Sequence, residues 1–282
     1  MLRVVVVTYH PGSSLAALLG SIPAAGTAPY EVILADNGGT PEVAGVERRA
    51  TGGNVGYGRA ANVAAAGFTG EWLLIANQDL VLEPGSLDAL RAAATRWPTA
   101  AALGPGILTP QGELYPSARA LPSLGRGAGH ALLGWCWPTN PWTAAYRREH
   151  GDPVEGPCGW LSGSCLLVRR DAFAAVGGFD PAYFMYFEDT DLCERLAAQV
   201  GPCVYVPSAV VRHEGGTATR DAPRRMLWAH HVSAFRYLRR RYPLLAPLLG
   251  LGLAARFGIA LLVPGLGAGA RPTRGGEALP GR

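Results

Sequence analysis

Lysine is missing from this 282-residue chain, so all 25 of its basic residues are arginine. Beside 38 glycines and 23 prolines, this reads as a compositional habit of the source rather than a functional device. Charged residues are scarce, 16% against 49% hydrophobic, which excludes disorder for the bulk of the chain. Cysteine is scarce as well. The five, at 136, 158, 165, 193 and 203, are odd in number and include no C-x-x-C pair. Neither a zinc site nor a disulfide framework is supported, and a reducing compartment is expected. The four-valine run before Thr8 is too short for a secretory signal. The glycines at 52, 53, 56 and 58 do not form G-x-G-x-x-G directly after a strand, which argues against a nicotinamide dehydrogenase.

What is present begins with length, enough for one large domain or two small ones with an ample core. Charge is unevenly spread. Residues 1–210 carry 13 Arg against 18 acids, a net of −5, and residues 211–282 carry 12 Arg against 3 acids, a net of +9. An acidic body with a basic tail points to an anionic partner, and no nucleic-acid motif accompanies the arginines. The tail pairs RYLRRR (236–241) with an apolar stretch over 244–270, whose uncharged runs, 242–255 and 257–270, hold 14 residues each. Those runs fall short of the roughly 20 residues that a span needs. A segment lying on or partly in a membrane surface, its arginines against anionic headgroups, is preferred over a buried hydrophobic hairpin.

The body reads as strand, helix, strand, helix. Short β-branched or apolar runs at 3–8, 30–35 and 71–76 predict strands, with helices over 14–22, 59–67 and from a Ser86 cap to about Trp97. Further strands are expected over 164–168 and 202–206, with a short helix after Asp171 between them. This alternation predicts a parallel sheet with helices on both faces, whose ligands sit beyond the carboxyl ends of the strands. Thr8-Tyr9, Asp36-Asn37 and Asn77-Gln78-Asp79 all fall at such ends. The connection over 108–157, rich in Pro, Trp and Tyr, has the character of a lid or acceptor loop.

Several carboxylates are candidates for chemistry. Asp79 is either a turn aspartate or a ligand to a hard cation shared with a diphosphate. Glu188, Asp189 and Asp191 follow an aromatic run at 183–187 and open a helix. Asp191 with Glu194 forms a D-x-x-E pair that resembles a capping box. Asp189, near a helix N-terminus, suits a general base, while Glu188 either orients an acceptor or supports Asp189. His213 follows a short apolar strand and is either structural or a metal ligand.

The ordered set VVVTYHP (5–11), ADNGG (35–39), GNVGYGRAAN (53–62), ANQDLVL (76–82), GGFDPAYFMYFEDTDLCERL (177–196) and His213 resembles the inverting family 2 glycosyltransferases of the GT-A fold. Within that family, YPSAR (115–119), WPTNPWTAAYR (137–147) and GWLSGSCLLVRR (159–170) are similar to the actinobacterial rhamnosyltransferases of the arabinogalactan linkage unit. The resemblance implies an α/β, Rossmann-like GT-A domain with a mostly parallel central sheet flanked by helices, and a C-terminal helical, membrane-associating tail. The expected division is a catalytic domain over 1–215, with a nucleotide-sugar half (1–100) and an acceptor half (101–215). A membrane-proximal segment (216–270) and a disordered tail (271–282) would follow.

The resemblance also implies a reaction: transfer of L-rhamnose from dTDP-β-L-rhamnose to the 3-hydroxyl of GlcNAc-diphospho-polyprenol, with Mg2+ or Mn2+, by a peripheral protein at the cytoplasmic membrane face. Asp189 would be the base with Glu188 beside it, and Asp79 and His213 would meet the metal. Thr8, Tyr9, Asp36, Asn37, Asn54, Gly56, Arg59, Asn62 and Asn77 would hold the nucleotide sugar, and Trp160, Ser162, Gly163 and Tyr186 the acceptor. No nucleic-acid partner is expected, and an oligomer is compatible with the sequence. The alternatives are a family 2 transferase with another donor or a polysaccharide acceptor, and a non-catalytic nucleotide-sugar-binding protein at a membrane.

Overall fold

The computed structural model describes residues 1–123, 153–214 and 223–262. The aromatic connection between 124 and 152, with its WPTNPWTAAYR segment, and the tail expected over 271–282 lie outside the described residues.

The first strands form where unbroken runs of branched apolar residues leave no polar face, the pattern of strands covered on both sides. β1 (Leu2–Thr8) is buried along its whole length and pairs in parallel with β2 (Tyr30–Asp36) and β4 (Trp72–Asn77). β3 (Glu47–Ala50) extends the edge beyond β2, an addition the polar run ERRA did not announce. β5 (Leu80–Leu82), β6 (Ala102–Leu108), β11 (Cys165–Arg169) and β12 (Cys203–His213) complete the path β3-β2-β1-β4-β11-β6-β12-β5. β7 (Leu114–Tyr115) pairs with β6 and β9 (Gly156–Cys158) with β12, while β8 (Ala118–Arg119) and β10 (Trp160–Leu161) form a small second sheet.

Along that path the sheet is mostly parallel, with two reversals: β11 runs antiparallel between β4 and β6, and β5 runs antiparallel to β12. Each reversal brings the loop before one strand or the end of another to the crevice at the carboxyl ends of β1, β2 and β4.

Helices cover both faces. α1 (Ser14–Ala25) and α3 (Ser86–Arg96) bury Leu15, Leu18, Ile22, Leu87 and Leu90 on one side. α2 (Tyr57–Ala65), α4 (Arg170–Ala175) and α5 (Glu188–Gln199) bury Ala60, Ala61, Ala64, Phe173, Leu192 and Leu196 on the other. Two boundary expectations need correction. Ser86 is not the cap of α3: Gly85, left-handed at φ 75°, holds that place, and the Ser86 hydroxyl is buried without a hydrogen-bond partner among the described residues. Asp191 lies inside α5, whose cap position is Phe187, so the D-x-x-E pair is not a capping box.

The C-terminal part is a helical pair, α6 (Pro223–Arg241) and α7 (Ala246–Leu262), joined through a single 3-10 turn, Pro243–Leu245. The alternative of a buried hairpin fails, because no residue of α7 is buried. Pro243–Leu262, 20 residues of mean hydropathy 1.9, is long and apolar enough to cross a bilayer by length and composition, although the two uncharged runs taken separately are not.

Candidate active site

The crevice begins where β1, β2 and β4 end side by side, with Thr8 opposite Asp36 and Val7 opposite Asn77. Thr8 is fully buried, its hydroxyl donating to the Ala35 carbonyl and sharing a 2.7 Å hydrogen bond with Thr40. It shapes the floor rather than offering a contact. Tyr9 is held by its main chain: its N–H donates to Gln78 Oε1 at 2.6 Å, and its carbonyl accepts from Gln78 Nε2 at 3.0 Å. Gln78 was visible as part of Asn77-Gln78-Asp79, but no sequence signal gave it this two-point clamp.

Asp36 accepts from the Gly38 N–H (3.0 Å) and from Arg48 (2.9 Å). Burial opposes its ionisation, but hydrogen bonds from Thr40 and Gly38 and the Arg48 charge outweigh it and hold the carboxyl below its ordinary range. Asn37 donates to Asn54 Oδ1 and accepts from the Val55 N–H, tying the end of β2 to the glycine-rich loop. In that loop Gly56 sits at φ 93°, and a Cβ there would run into the Phe184 carbonyl, so glycine is required. Arg59 donates to the Pro181 carbonyl, and both ends of the Asn62 amide are engaged with the Phe179 main chain. Asn62 therefore anchors the 179–187 loop.

Opposite this half stands a second set. The antiparallel pairing of β12 with β5 sets His213 against Leu80, next to Asp79. His213 Nε2 lies 3.0 Å from Asp79 Oδ1 and 3.2 Å from Asn77 Nδ2. No cluster of three or more His, Cys, Asp or Glu capable of holding a metal occurs among the described residues. One buried carboxylate and one imidazole converging on a point nevertheless suit a hard cation that takes its remaining oxygens from a diphosphate and water.

The third set hangs on β11. Because β11 is reversed, the loop before it reaches the crevice, where the Asn77 N–H donates to the Ser164 carbonyl at 2.9 Å. There the Gly163 N–H donates to Asp189 Oδ2 at 3.0 Å, and the Thr190 N–H donates to Oδ1 at 2.7 Å. A Cβ on Gly163 would lie 3.1 Å from that of Asp189, so any side chain there would press on the carboxylate's position. Tyr57 donates its hydroxyl to the Gly163 carbonyl at 2.6 Å, closing α2 onto the same loop, and its burial holds the phenol well above its ordinary range.

Burial, with the Asp189 charge beside it, pushes Glu188 up to about 8. Its Oε2 has no hydrogen-bond partner among the described residues. Burial raises Asp189 as well, against hydrogen bonds from Gly163 and Thr190 and the charge of Arg119. Glu188, raised to about 8, keeps its proton at neutral pH beside Asp189.

Arg119 was not foreseen as a site residue, although YPSAR carries it. Its guanidinium lies 5.2 Å from the rings of both Trp160 and Tyr115. Trp160 is buried, and Ser162 shares a 2.9 Å hydrogen bond with Ser164.

The aromatic run itself is strained. Tyr186 and Phe187 both adopt left-handed backbone, at φ 67° and 65°, which costs about 1 kcal/mol or more each. Helix α6 holds them there. The His230 ring packs 5.4 Å from Tyr186 and 5.6 Å from Phe187, Tyr237 packs 5.5 Å from Phe187, and Ser233 donates to the Met185 carbonyl at 2.8 Å. The fully buried Asp191 carboxylate is shared by Arg195 (2.7 Å) and Arg240 (2.5 Å), and Glu194 faces Arg240 and Arg241. Asp191 and Glu194, read from sequence as a cap, fasten the tail to α5.

A family profile described as "Glycosyltransferase like family 2" matches residues 2–230. The N-acetylglucosaminyl-diphospho-decaprenol L-rhamnosyltransferase of Mycobacterium tuberculosis (strain H37Rv) is 51% identical over 261 residues, covering 86% of this chain and 85% of its own. Among solved structures, a mannosyltransferase from Pyrobaculum calidifontis in complex with GDP-Man and Mn2+ superposes with a TM-score of 0.53 at 17% identity. That superposition covers 96% of this chain and 76% of the other. GalNAc-T7 with UDP, GalNAc and Mn2+ gives 0.55 at 15% identity, over 76% of this chain and 43% of its own.

Proposed function

Since the chain belongs to glycosyltransferase family 2, we propose that it transfers L-rhamnose from dTDP-β-L-rhamnose to the 3-hydroxyl of a GlcNAc-diphospho-polyprenol. The observation that carries the substrates is the 51% identity, over most of both chains, to a transferase named for that donor sugar and that acceptor. The crevice geometry carries the chemistry.

Asp189 takes the proton from the acceptor hydroxyl as that oxygen attacks the anomeric carbon. The bond from that carbon to the dTDP oxygen breaks on the opposite face, its electron pair leaving with the diphosphate. One displacement inverts the anomeric centre, so a β-linked donor gives an α-rhamnoside. The N–H groups of Gly163 and Thr190 fix the direction of the Asp189 carboxylate, and burial makes it a stronger base. Protonated Glu188 beside it avoids a second buried charge. Trp160 and Tyr186 wall off water around the acceptor, with Ser162 and Gly163 at its hydroxyls. Tyr9, Asp36, Asn37, Asn54, Gly56 and Arg59 form the thymidine side, and Asn77 sits between the two. Asp79 and His213 would hold Mg2+ or Mn2+, which would neutralise charge on the departing diphosphate.

The acceptor is a membrane lipid, so the enzyme works at a membrane surface, at the face where dTDP-sugars are made, with α6 and α7 as its peripheral contact. Residues 1–215 form the catalytic unit in this reading. Labelled dTDP-rhamnose incubated with GlcNAc-diphospho-polyprenol should label the lipid, and EDTA should stop it. Labelling from a different nucleotide sugar alone would overturn the donor assignment, and no lipid labelling at all would overturn the acceptor.

A further inference from the structure

Outside the crevice, among the described residues, a cluster of cationic groups lies where α6 turns into α7. Arg236, Arg239 and Arg240 fall on one face of α6, at spacings of three and four residues, and line a cavity of about 460 Å3 with Asp180, Tyr183, Pro243 and Ala246. Arg240 is committed to Asp191 and Glu194. Arg236 and Arg239 have no carboxylate within ion-pair distance among the described residues. The Arg236 guanidinium lies 5.9 Å from the Tyr183 ring, and its Nε is buried with no hydrogen-bond partner among the described residues. The acid in the cavity, Asp180, has its Oδ1 engaged by the Ala182 N–H at 2.8 Å. Two guanidinium forks facing one cavity match phosphate oxygens.

The surroundings narrow the ligand. Pro243 and Ala246 lead directly into a helical segment that exposes Leu244, Leu248 and Leu251 by 94%, 68% and 71%. Large exposed leucines beside an arginine-lined cavity give one place for a phosphate and an adjoining place for acyl chains. The cavity is also separate from the reaction. Residues two apart on a helix project about 200° apart, so Asp191, which faces Arg240, points away from the side on which Asp189 meets Gly163.

We propose that Arg236 and Arg239 form a headgroup site for the phosphate of an anionic phospholipid, distinct from the acceptor's diphosphate. The proposal rests on the membrane-surface part of the functional reading above, and not on which sugar is transferred.

The test uses the full chain and vesicle flotation, with phosphatidylcholine alone or with roughly one third phosphatidylglycerol. Wild type should favour the anionic vesicles, and R236Q and R239Q should each weaken that binding by about fivefold. Binding to neutral vesicles, carried by the exposed leucines, should not change. R91Q, which removes an exposed arginine from α3, should bind like wild type. If R236Q fails to fold, R239Q, whose side chain is exposed, carries the test alone. The site is refuted if R239Q and R91Q bind anionic vesicles equally, whether both match wild type or both fall. It is also refuted if R239Q keeps its phosphatidylglycerol preference but loses affinity for a short-chain GlcNAc-diphosphoryl lipid in detergent, which would give the cavity to the acceptor. Sugar transfer by wild type in detergent, without vesicles, tests the enzymatic reading independently of both results.

Discussion

Asp191 and Arg240 meet at 2.5 Å, a fully buried carboxylate on the helix that carries Asp189 held by a guanidinium from the C-terminal helix. Arg195 holds the other oxygen at 2.7 Å. Removing the acid leaves Arg195 without its counter-charge, with only the Val176 carbonyl among the described residues to accept from it, whereas removing Arg240 leaves Asp191 with one cation. Asp191→Ala should therefore cost about 3 kcal/mol and Arg240→Ala about 1 kcal/mol in urea denaturation. Equal losses would show that Arg195 does not share the charge.

Glu188 should make stability depend on pH. Its carboxyl, raised to about 8, keeps a proton that the unfolded chain releases near 4.5. The contribution is therefore full below about 4.5 and is lost as pH rises through 8. Glu188→Gln, uncharged at every pH, should flatten that decline when unfolding is measured between pH 5 and about 9. A variant with the wild-type slope would place the retained proton elsewhere.

Asp189→Asn keeps the size of the side chain and removes the carboxylate proposed as the base. It should lower kcat by about a thousandfold while dTDP binding, measured by calorimetry, stays within a factor of about two. Turnover at the wild-type rate would exclude Asp189 as the base.

Gly56→Ala forces a Cβ toward the Phe184 carbonyl at a left-handed backbone position. It should destabilise the protein by about 1–3 kcal/mol. It should also raise KM for the donor more than it lowers kcat, because the loop between Asn54 and Tyr57 is displaced while Asp189 stays anchored on Gly163. A change in kcat alone would place this loop on the acceptor side.

Much of this arrangement was readable in the sequence because it follows from local pattern. The valine run of β1 and the short apolar run of β4 have one economical home, a sheet covered on both faces, and polar residues just beyond them mark its crevice. The position of β11 was readable, but not its direction, since a continuous apolar run looks the same whichever way it threads. β3 escaped notice because an edge strand of ERRA buries little and owes its form to β2. Asp191 illustrates a different limit. Four residues from Glu194's neighbour Arg195 and next to a helix start, it fits a local cap, and only the return of a helix from 223–241 reveals its other partner. Gln78, Tyr57 and Arg119 were missed likewise, because each acts on a main chain or ring distant in sequence.

The reversed strand also constrains when the protein can become whole. β4 and β6 do not pair with each other; each pairs with β11, which lies between them. During synthesis the chain through Leu108 can supply the bank β3-β2-β1-β4 and the lone strand β6, but not the piece that joins them. The join waits until Cys165–Arg169 has left the ribosome, and the crevice waits longer still, for Asp189 and His213. Until then two rows of unpaired main-chain groups stand open, so a ribosome paused between residues 108 and 165 would display edges prone to mispairing.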